Sequence, residues 1–481
     1  MIVNYPTIPT RTKDEGQSEA KSTVATPVIL FLLAVALPFS FSAGPVVMTG
    51  VRMLLIVMVV PMTLRLLSGA YGKILPTDYL FFLHILWVAV AMVVNSPGQA
   101  IQNVGSTGIE FLGGYLMGRA YIRTSADMIA MIRLFLFIIC CTLPFALIET
   151  VTGHPLLVEL IAKLPIINGA AQTYDEVRMG LDRVQLAFQT PIHYGLFSML
   201  GFSLCVVGLQ GIVSDTRRWF LGGLVGLCVF LSLSSGALLP LLLQIFLIAW
   251  SAVFRRYTRR WWLLLGIFLL IYIVIDLGSN RTPMRVFMSY ATFSPGTAYM
   301  RLGINEAGLE NIRANPIFGI GLNDWVRPVW MHNPSFDNFW LLIAMRYGLP
   351  GFVALAVGYG LAIWQIGRRD LDANRTLWQL RRAWVFAFSC LALTLYTVHI
   401  WSEVYALVFF LFGAGMWLAT AVPNEAANRA GPAATLPYVS ASRFAGKSAI
   451  NSPATANLGP PPDAQITSRF TRFAQVRNRQ P

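Results

Sequence analysis

Twelve apolar segments recur along this chain and constrain its fold more than any other feature. They run over residues 27–43, 46–64, 78–95, 101–118, 129–150, 185–208, 218–234, 237–253, 261–277, 336–366, 383–399 and 402–421. Most reach the ~17 to 25 residues that a helix needs to cross a hydrocarbon core of roughly 30 Å. Lipid offers no partner for an exposed backbone N–H or C=O, so helices rather than open strands are expected. The fold class read from this pattern is all-α, a polytopic membrane protein with about twelve transmembrane helices and one large loop. The tenth segment is too long for one simple span, and Gly348 to Gly351 is expected to divide it into an interfacial helix and a membrane helix.

The composition agrees: 56% of residues are hydrophobic and 12% charged, against roughly 25% charged in an ordinary soluble domain. A net charge of +14 raises the question of nucleic acid, but its distribution answers it. With the N-terminus cytoplasmic, the inner loops carry Arg65 and Lys73, Arg119 and Arg123, Arg217 and Arg218, four arginines from Arg255 to Arg260, and the run from Arg368 to Arg382. The short outer connections at 43–46, 95–100, 235–236 and 400–401 carry no Lys or Arg. This positive-inside asymmetry puts both termini in the cytoplasm and makes the basic balance a topological signature, not a nucleic-acid footprint.

The five cysteines all fall in apolar segments, with neither metal-ligand spacing nor a disulfide framework. Residues 1–26 are polar with mixed charge and read as a cytoplasmic tail before an uncleaved first helix. The expected membrane domain covers 27–421. From 422 to 481 the chain turns to Ala, Pro, Asn, Ser and Gly and reads as a disordered cytoplasmic tail. Its cation-rich and aromatic end is a further lipid-headgroup candidate beside the plain flexible reading.

Two outer loops are long. The first, about 151–184, ends with Arg178, Asp182 and Arg183. The second, about 278–335, holds Arg281, Arg285, Arg301, Arg313 and Arg327 and ends at His332-Asn333. Positive charge on the outer face opposes the inside rule, and loops beyond about 15 residues are uncommon unless functional or disordered. Trp325, Trp330, Phe318 and Phe336 give the second loop apolar anchors, and Arg301 to Asn315 reads as a short helix ended by Pro316.

Guanidinium forks bind phosphate oxygens bidentately at any physiological pH. A histidine near neutrality accepts or orients a hydroxyl proton. Together these groups suit displacement of a lipid diphosphate by a sugar hydroxyl, with arginine rather than a metal stabilising the leaving group. An outer arginine can equally bind lipid headgroups or a loop carboxylate, and His332 can equally be a helix cap. His193 reads as a packed histidine near an outer helix end, and His84, His154 and His399 as structural. Glu110, inside an apparent span, is functional, protonated or hydrogen-bonded.

At these residues the chain resembles the O-antigen ligase and Wzy-type polysaccharide polymerase superfamily. Arg183-Val-Gln-Leu-Ala-Phe-Gln-Thr-Pro191 resembles the family's arginine-and-proline entry into a central span. Arg301 to Leu322, with Asn315-Pro-Ile-Phe-Gly-Ile-Gly-Leu, resembles the approach to its catalytic region. His332-Asn333 followed by Gly348-Leu-Pro-Gly351 resembles its His-Asn segment and glycine exit. Two positions depart: Ser234-Ser-Gly236 stands where many members have Ser-Arg, and Arg346 where a glutamate is common.

The resemblance implies a metal-independent, inverting glycosyltransferase of C-type architecture in a bacterial inner membrane, with no cofactor. It would transfer an undecaprenyl-diphosphate-linked glycan at the periplasmic side. His332 would activate the acceptor hydroxyl, Asn333 would position the histidine or sugar, and Arg183 and Arg301 would bind the donor diphosphate. The reading favoured is a polymerase of exopolysaccharide or O-antigen repeat units, partnered by a chain-length regulator. The alternative is a ligase whose acceptor is lipid A–core. The rivals from other classes are a lipid-linked-glycan flippase, which would place charges along a midplane cavity, and a non-enzymatic scaffold.

Overall fold

The computed structural model describes residues 23–37, 39–43, 46–163, 177–280, 283, 285–286, 295–331 and 335–423. The described chain is almost entirely helical. In order it runs α1 (Thr26–Ala36), a hairpin of β1 (Ser40–Ala43) and β2 (Val46–Thr49), α2 (Gly50–Leu67), α3 (Pro76–Asn95) and α4 (Pro97–Gly108). A π turn (Ile109–Gly113) leads into α5 (Gly114–Tyr121), followed by α6 (Ser125–Thr152), α7 (Leu156–Ala162) and a small ribbon of β3 (Val177–Arg178) and β4 (Leu181–Asp182). Next come α8 (Pro191–Ser203), α9 (Asp215–Leu231), α10 (Ser235–Val253) and α11 (Arg260–Gly278). The last helices are α12 (Pro295–Ala314), α13 (Phe339–Gly367), α14 (Arg375–Thr394) and α15 (Ser402–Ala414). Eight helical stretches among the described residues are long and apolar enough to cross a membrane, which makes this an all-α polytopic membrane protein.

The first segment departs from expectation. Helix α1 stops at Ala36, and Ser40–Ala43 pairs antiparallel with Val46–Thr49, so part of segments 27–43 and 46–64 is a hairpin. Pro38 and Pro45 explain this, because each disfavours helix in the residue before it and removes an N–H donor. The central span entered after Arg183 also starts later than its apolar pattern. Helix α8 begins at Pro191, with the Thr190 side chain accepting the His193 N–H at 3.3 Å. Pro at the first helical position fixes that boundary.

The bundle's core is aromatic and closely approached. Phe81, Phe111, Tyr115, Phe409 and Phe412 pack ring on ring between α3, the π turn, α5 and α15. A Cβ on Gly118 would overlap Phe410 O, so only glycine lets α5 and α15 approach this closely. Beside this contact the Arg119 guanidinium donates to Asp78 at 2.9 Å, and both side chains are buried. Asp78 also accepts from the Leu75 N–H at 2.6 Å and from the Tyr115 hydroxyl. The charge is therefore fully partnered, as a buried ion pair must be. By contrast, none of the side chains of α11 is buried, and its face is apolar all round. Such a helix is at home only in lipid or against another chain.

A second, smaller core holds the long loop. Ile304, Ala307 and Ile312 of α12 pack with Trp325, Met331, Phe336, Leu342 and Met345. The Trp325 and Phe336 rings meet edge-on at 5.0 Å. The Asn311 amide donates to Val326 O at 2.7 Å and accepts the Val326 N–H at 3.0 Å, closing the loop on α12. The Asn338 amide donates to Asn305 Oδ1 at 2.8 Å and its oxygen caps α13 at Leu341 N, 3.0 Å.

Candidate functional site

The motif Asn315 to Leu322 is built as a clasp. After α12 ends at Ala314, the Ile320 and Gly321 N–H groups donate to Met345 O and Arg346 O, each at 2.9 Å. The Leu349 N–H returns a bond to Pro316 O at 2.7 Å. These acceptors and donors are exposed because α13 breaks at Gly348, where φ is 75° and ψ is 171°. A Cβ at Gly348 would overlap Ile317 O, so the break needs glycine for its left-handed backbone and for its space. Trp87 completes the joint: its indole donates to Tyr347 O at 3.0 Å and its ring stacks on Phe318 at 5.7 Å. The two glycine-bearing motifs are thus one structural unit whose work is to fix the end of α12.

Helix α12 carries Arg301, which is 6% exposed. Its Nε stands 4.0 Å from Asp337 Oδ2 and has no hydrogen-bond partner among the described residues. Burial holds the Arg301 pKa below its ordinary value; Asp337 opposes this shift and the nearby Arg178 reinforces it. Asp337 is half-buried, and burial lifts its carboxyl above the ordinary aspartate value against the pull of Arg301. A buried guanidinium near a second arginine, with its Nε unpaired among the described residues, is equipped to receive an oxyanion.

Arg178 lies in β3, and Arg183 follows β4 directly, in a short ribbon where Val177 pairs with Asp182 and Arg178 with Leu181. The Arg178 guanidinium donates to Leu233 O at 3.1 Å. Arg183 is itself buried, and the next residue ties the strand to α9 through Val184 N–H to Leu231 O at 3.1 Å. Glu149, near the end of α6, then holds the following turn, accepting the Gln185 N–H at 2.7 Å and the Leu186 N–H at 3.1 Å. Leu186 and Leu233 both adopt left-handed backbone, with φ of 50° and 43°. Non-glycine residues held this way cost about 1–3 kcal/mol each and persist where surrounding structure over-determines them.

Of the four residues singled out from sequence, Arg301 and Arg183 are buried, and Arg178, in the ribbon that Arg183 follows, lies near enough to Arg301 to lower its pKa. His332 and Asn333 lie outside the described residues, as do residues 1–22 and the tail beyond 423. The flanking Met331 and Phe336 are buried in the second core. The other histidines are placed as follows. His84 Nδ1 bonds Gly351 O at 2.8 Å, His154 pairs with Glu159 at the surface, and His193 and His399 both contact the Trp401 ring. Glu110 pairs with Arg52 at 2.7 Å. Asp337 and Glu149 were missed by sequence reading. The available signal for Glu149 was a carboxylate inside an otherwise apolar segment.

Comparison with known families decides the wider context. Residues 220–356 match the family model described as O-antigen ligase. The match bears out the resemblance to the O-antigen ligase and Wzy-type superfamily. It covers α12, the clasp, Arg301 and the histidine segment, and leaves Arg183 outside. No curated protein matches the chain. A glycosyl-transferring enzyme acting on lipid-linked glycan is the general function that this O-antigen ligase match supports.

Proposed function

We propose that the protein polymerises undecaprenyl-diphosphate-linked oligosaccharide repeat units at the periplasmic face of a bacterial inner membrane, with both termini cytoplasmic. The supporting observation is Arg301, a buried guanidinium whose Nε has no hydrogen-bond partner among the described residues and which is carried by the family-matched segment. In this reading Arg301 and Arg183 hold the donor diphosphate. His332 takes the proton of the acceptor hydroxyl, whose oxygen forms a new bond to the anomeric carbon. The bond from that carbon to the diphosphate oxygen breaks on the opposite face, and the diphosphate leaves on the lipid with the electron pair. Asn333 positions the histidine or the sugar. Inversion follows from one displacement, and the arginines supply the charge stabilisation.

The ligase reading, with lipid A–core as acceptor, is equally consistent with the family match. Glycan profiles of cells expressing wild type or His332→Ala at equal membrane levels test both. Single repeat units accumulating on the carrier support polymerisation with His332 as base. Long lipid-linked chains that fail to reach lipid A support ligation. An unchanged profile rejects the role of His332.

A further inference from the structure

A cavity of about 430 Å³ opens among the β1–β2 hairpin, α2, α4, the π turn, the 187–189 turn and the start of α15. Its size falls in the roughly 300–1,000 Å³ range of small-molecule pockets. Every segment that lines it reaches an outer end of the bundle in the topology read from the sequence, the end that also carries Arg183.

The lining is not that of a lipid-tail groove. Arg52, Glu110 and Glu403 contribute charge, Asn103 and Gln189 contribute amides, and Trp401 presents an indole that is 38% exposed. Among the described residues the one cation in the lining, Arg52, is already engaged: its Nε donates to Glu110 at 2.7 Å and its Nη1 to Val47 O at 2.6 Å. Among the described lining residues a phosphate would find two carboxyl groups and no uncommitted guanidinium. Hydroxyl groups would find acceptors in the carboxyls and amides, and a pyranose ring's C–H face would find the indole.

The cavity is linked to the arginine site by a short stretch of chain and by a series of ring contacts. Gln189 lies six residues beyond Arg183. On the other side, Trp401 stacks on His399 at 5.2 Å, His399 stacks on Phe339 at 6.1 Å, and Phe339 follows Asp337 by two residues. Ser402, at the mouth, is held at φ 55°, a strained conformation for serine. The neighbouring buried Tyr405 hydroxyl and His193 Nε2 have no hydrogen-bond partner among the described residues.

We propose that this cavity is a sugar-binding subsite for the transferred glycan, in which Trp401 stacks on a sugar ring while Glu403 and Glu110 accept its hydroxyl hydrogens. The proposal rests on the reading of the protein as a lipid-linked-glycan transferase. It assigns diphosphate binding and sugar binding to separate residues.

The test uses membranes containing the full chain, with lipid-linked glycan extracted from cells that lack the protein as the probe. Transfer rate is measured against glycan concentration for wild type, Glu403→Gln, Trp401→Ala, Trp401→Phe and Arg301→Ala. The expected result is an apparent KM raised about ten-fold or more in Glu403→Gln and Trp401→Ala, kcat changed less than KM, and recovery in Trp401→Phe, which keeps an aromatic face. Thermal melting of each variant separates binding from misfolding. Wild-type KM in both Glu403→Gln and Trp401→Ala overturns the subsite. So does a loss in Trp401→Ala that tracks a lowered melting temperature, if Glu403→Gln is normal. If Arg301→Ala alone loses transfer, the transferase reading stands without the subsite. If Arg301→Ala transfers normally, the diphosphate reading itself fails.

Discussion

The Glu149 carboxylate and the Leu186 N–H meet through both carboxylate oxygens, each at 3.1 Å. This bond, with the Gln185 N–H at 2.7 Å, sets the turn that follows Arg183 and holds Leu186 in its left-handed backbone. Two backbone donors lose their acceptor in Glu149→Ala. Each buried orphan costs about 1–3 kcal/mol. The expected result is a lower melting temperature together with reduced transfer, while Glu149→Gln, which keeps one acceptor oxygen, lies between. A Glu149→Ala protein that melts like wild type would remove this carboxylate from the account of the turn.

Gly348→Ala tests the clasp. A backbone at φ 75° and ψ 171°, essentially open to glycine alone, penalises an L-residue by about 1–3 kcal/mol, and overpacking against Ile317 adds about 1–3 kcal/mol. The protein is expected to melt earlier by an amount matching about 2–6 kcal/mol, whereas Gly360→Ala, at a helical glycine with open space around it, is expected to be neutral or mildly stabilising. Thermal unfolding in detergent, followed by light scattering, distinguishes the two.

Arg301 offers a chemical rather than a structural test. Arg301→Ala removes one oxyanion donor, and losses of such donors cost about 10²–10³ in turnover. Arg301→Lys keeps the charge but not the bidentate fork, so its activity is expected between those of Ala and wild type. Turnover in membranes at saturating glycan measures both, and equal rates for Lys and Ala would point to a geometric requirement alone.

The pH dependence follows from Asp337, whose carboxyl is lifted by burial above the ordinary value of 3.8. The folded chain therefore holds this proton more tightly than the unfolded one. Stability from this group is present at pH values below 3.8 and falls as pH rises through the raised pKa. In Asp337→Asn that decline disappears, so the melting difference, variant minus wild type, is expected to grow with pH across this window. The same substitution removes the carboxylate that competes for Arg301, and apparent affinity for inorganic pyrophosphate should rise. Parallel melting curves at all pH values would reject the assignment.

The architecture was legible because its signal is local and repeated: an apolar run of span length announces a helix wherever it occurs. The break near Gly348 was legible for the same reason, since Gly348-Leu-Pro-Gly351 interrupts such a run. The hairpin at Ser40–Thr49 was less so, because Phe41, Val46 and Val47 are as apolar as any helix and only the prolines mark the change. Arg301 was visible as a cation in a loop that the charge rule, applied to the sequence, assigns to the outer face. Its neighbour Asp337 was not, since the pair is 36 residues apart and depends on how α12 docks against α13. Glu403 and Glu110 are separated by far more, and nothing in their local sequences says that one cavity wall holds both.

The clasp turns α12 into a lever. Its C-terminal end is pinned where Ile320 and Gly321 bond Met345 and Arg346, while Arg301 rides thirteen residues upstream, about 20 Å away along the helix. A swing of roughly 10° at the pinned end would carry the guanidinium through about 3–4 Å, the span of a hydrogen bond made or lost. Trp87 and Gly348, far from Arg301 along the chain, would thereby help set where the proposed diphosphate ligand is held.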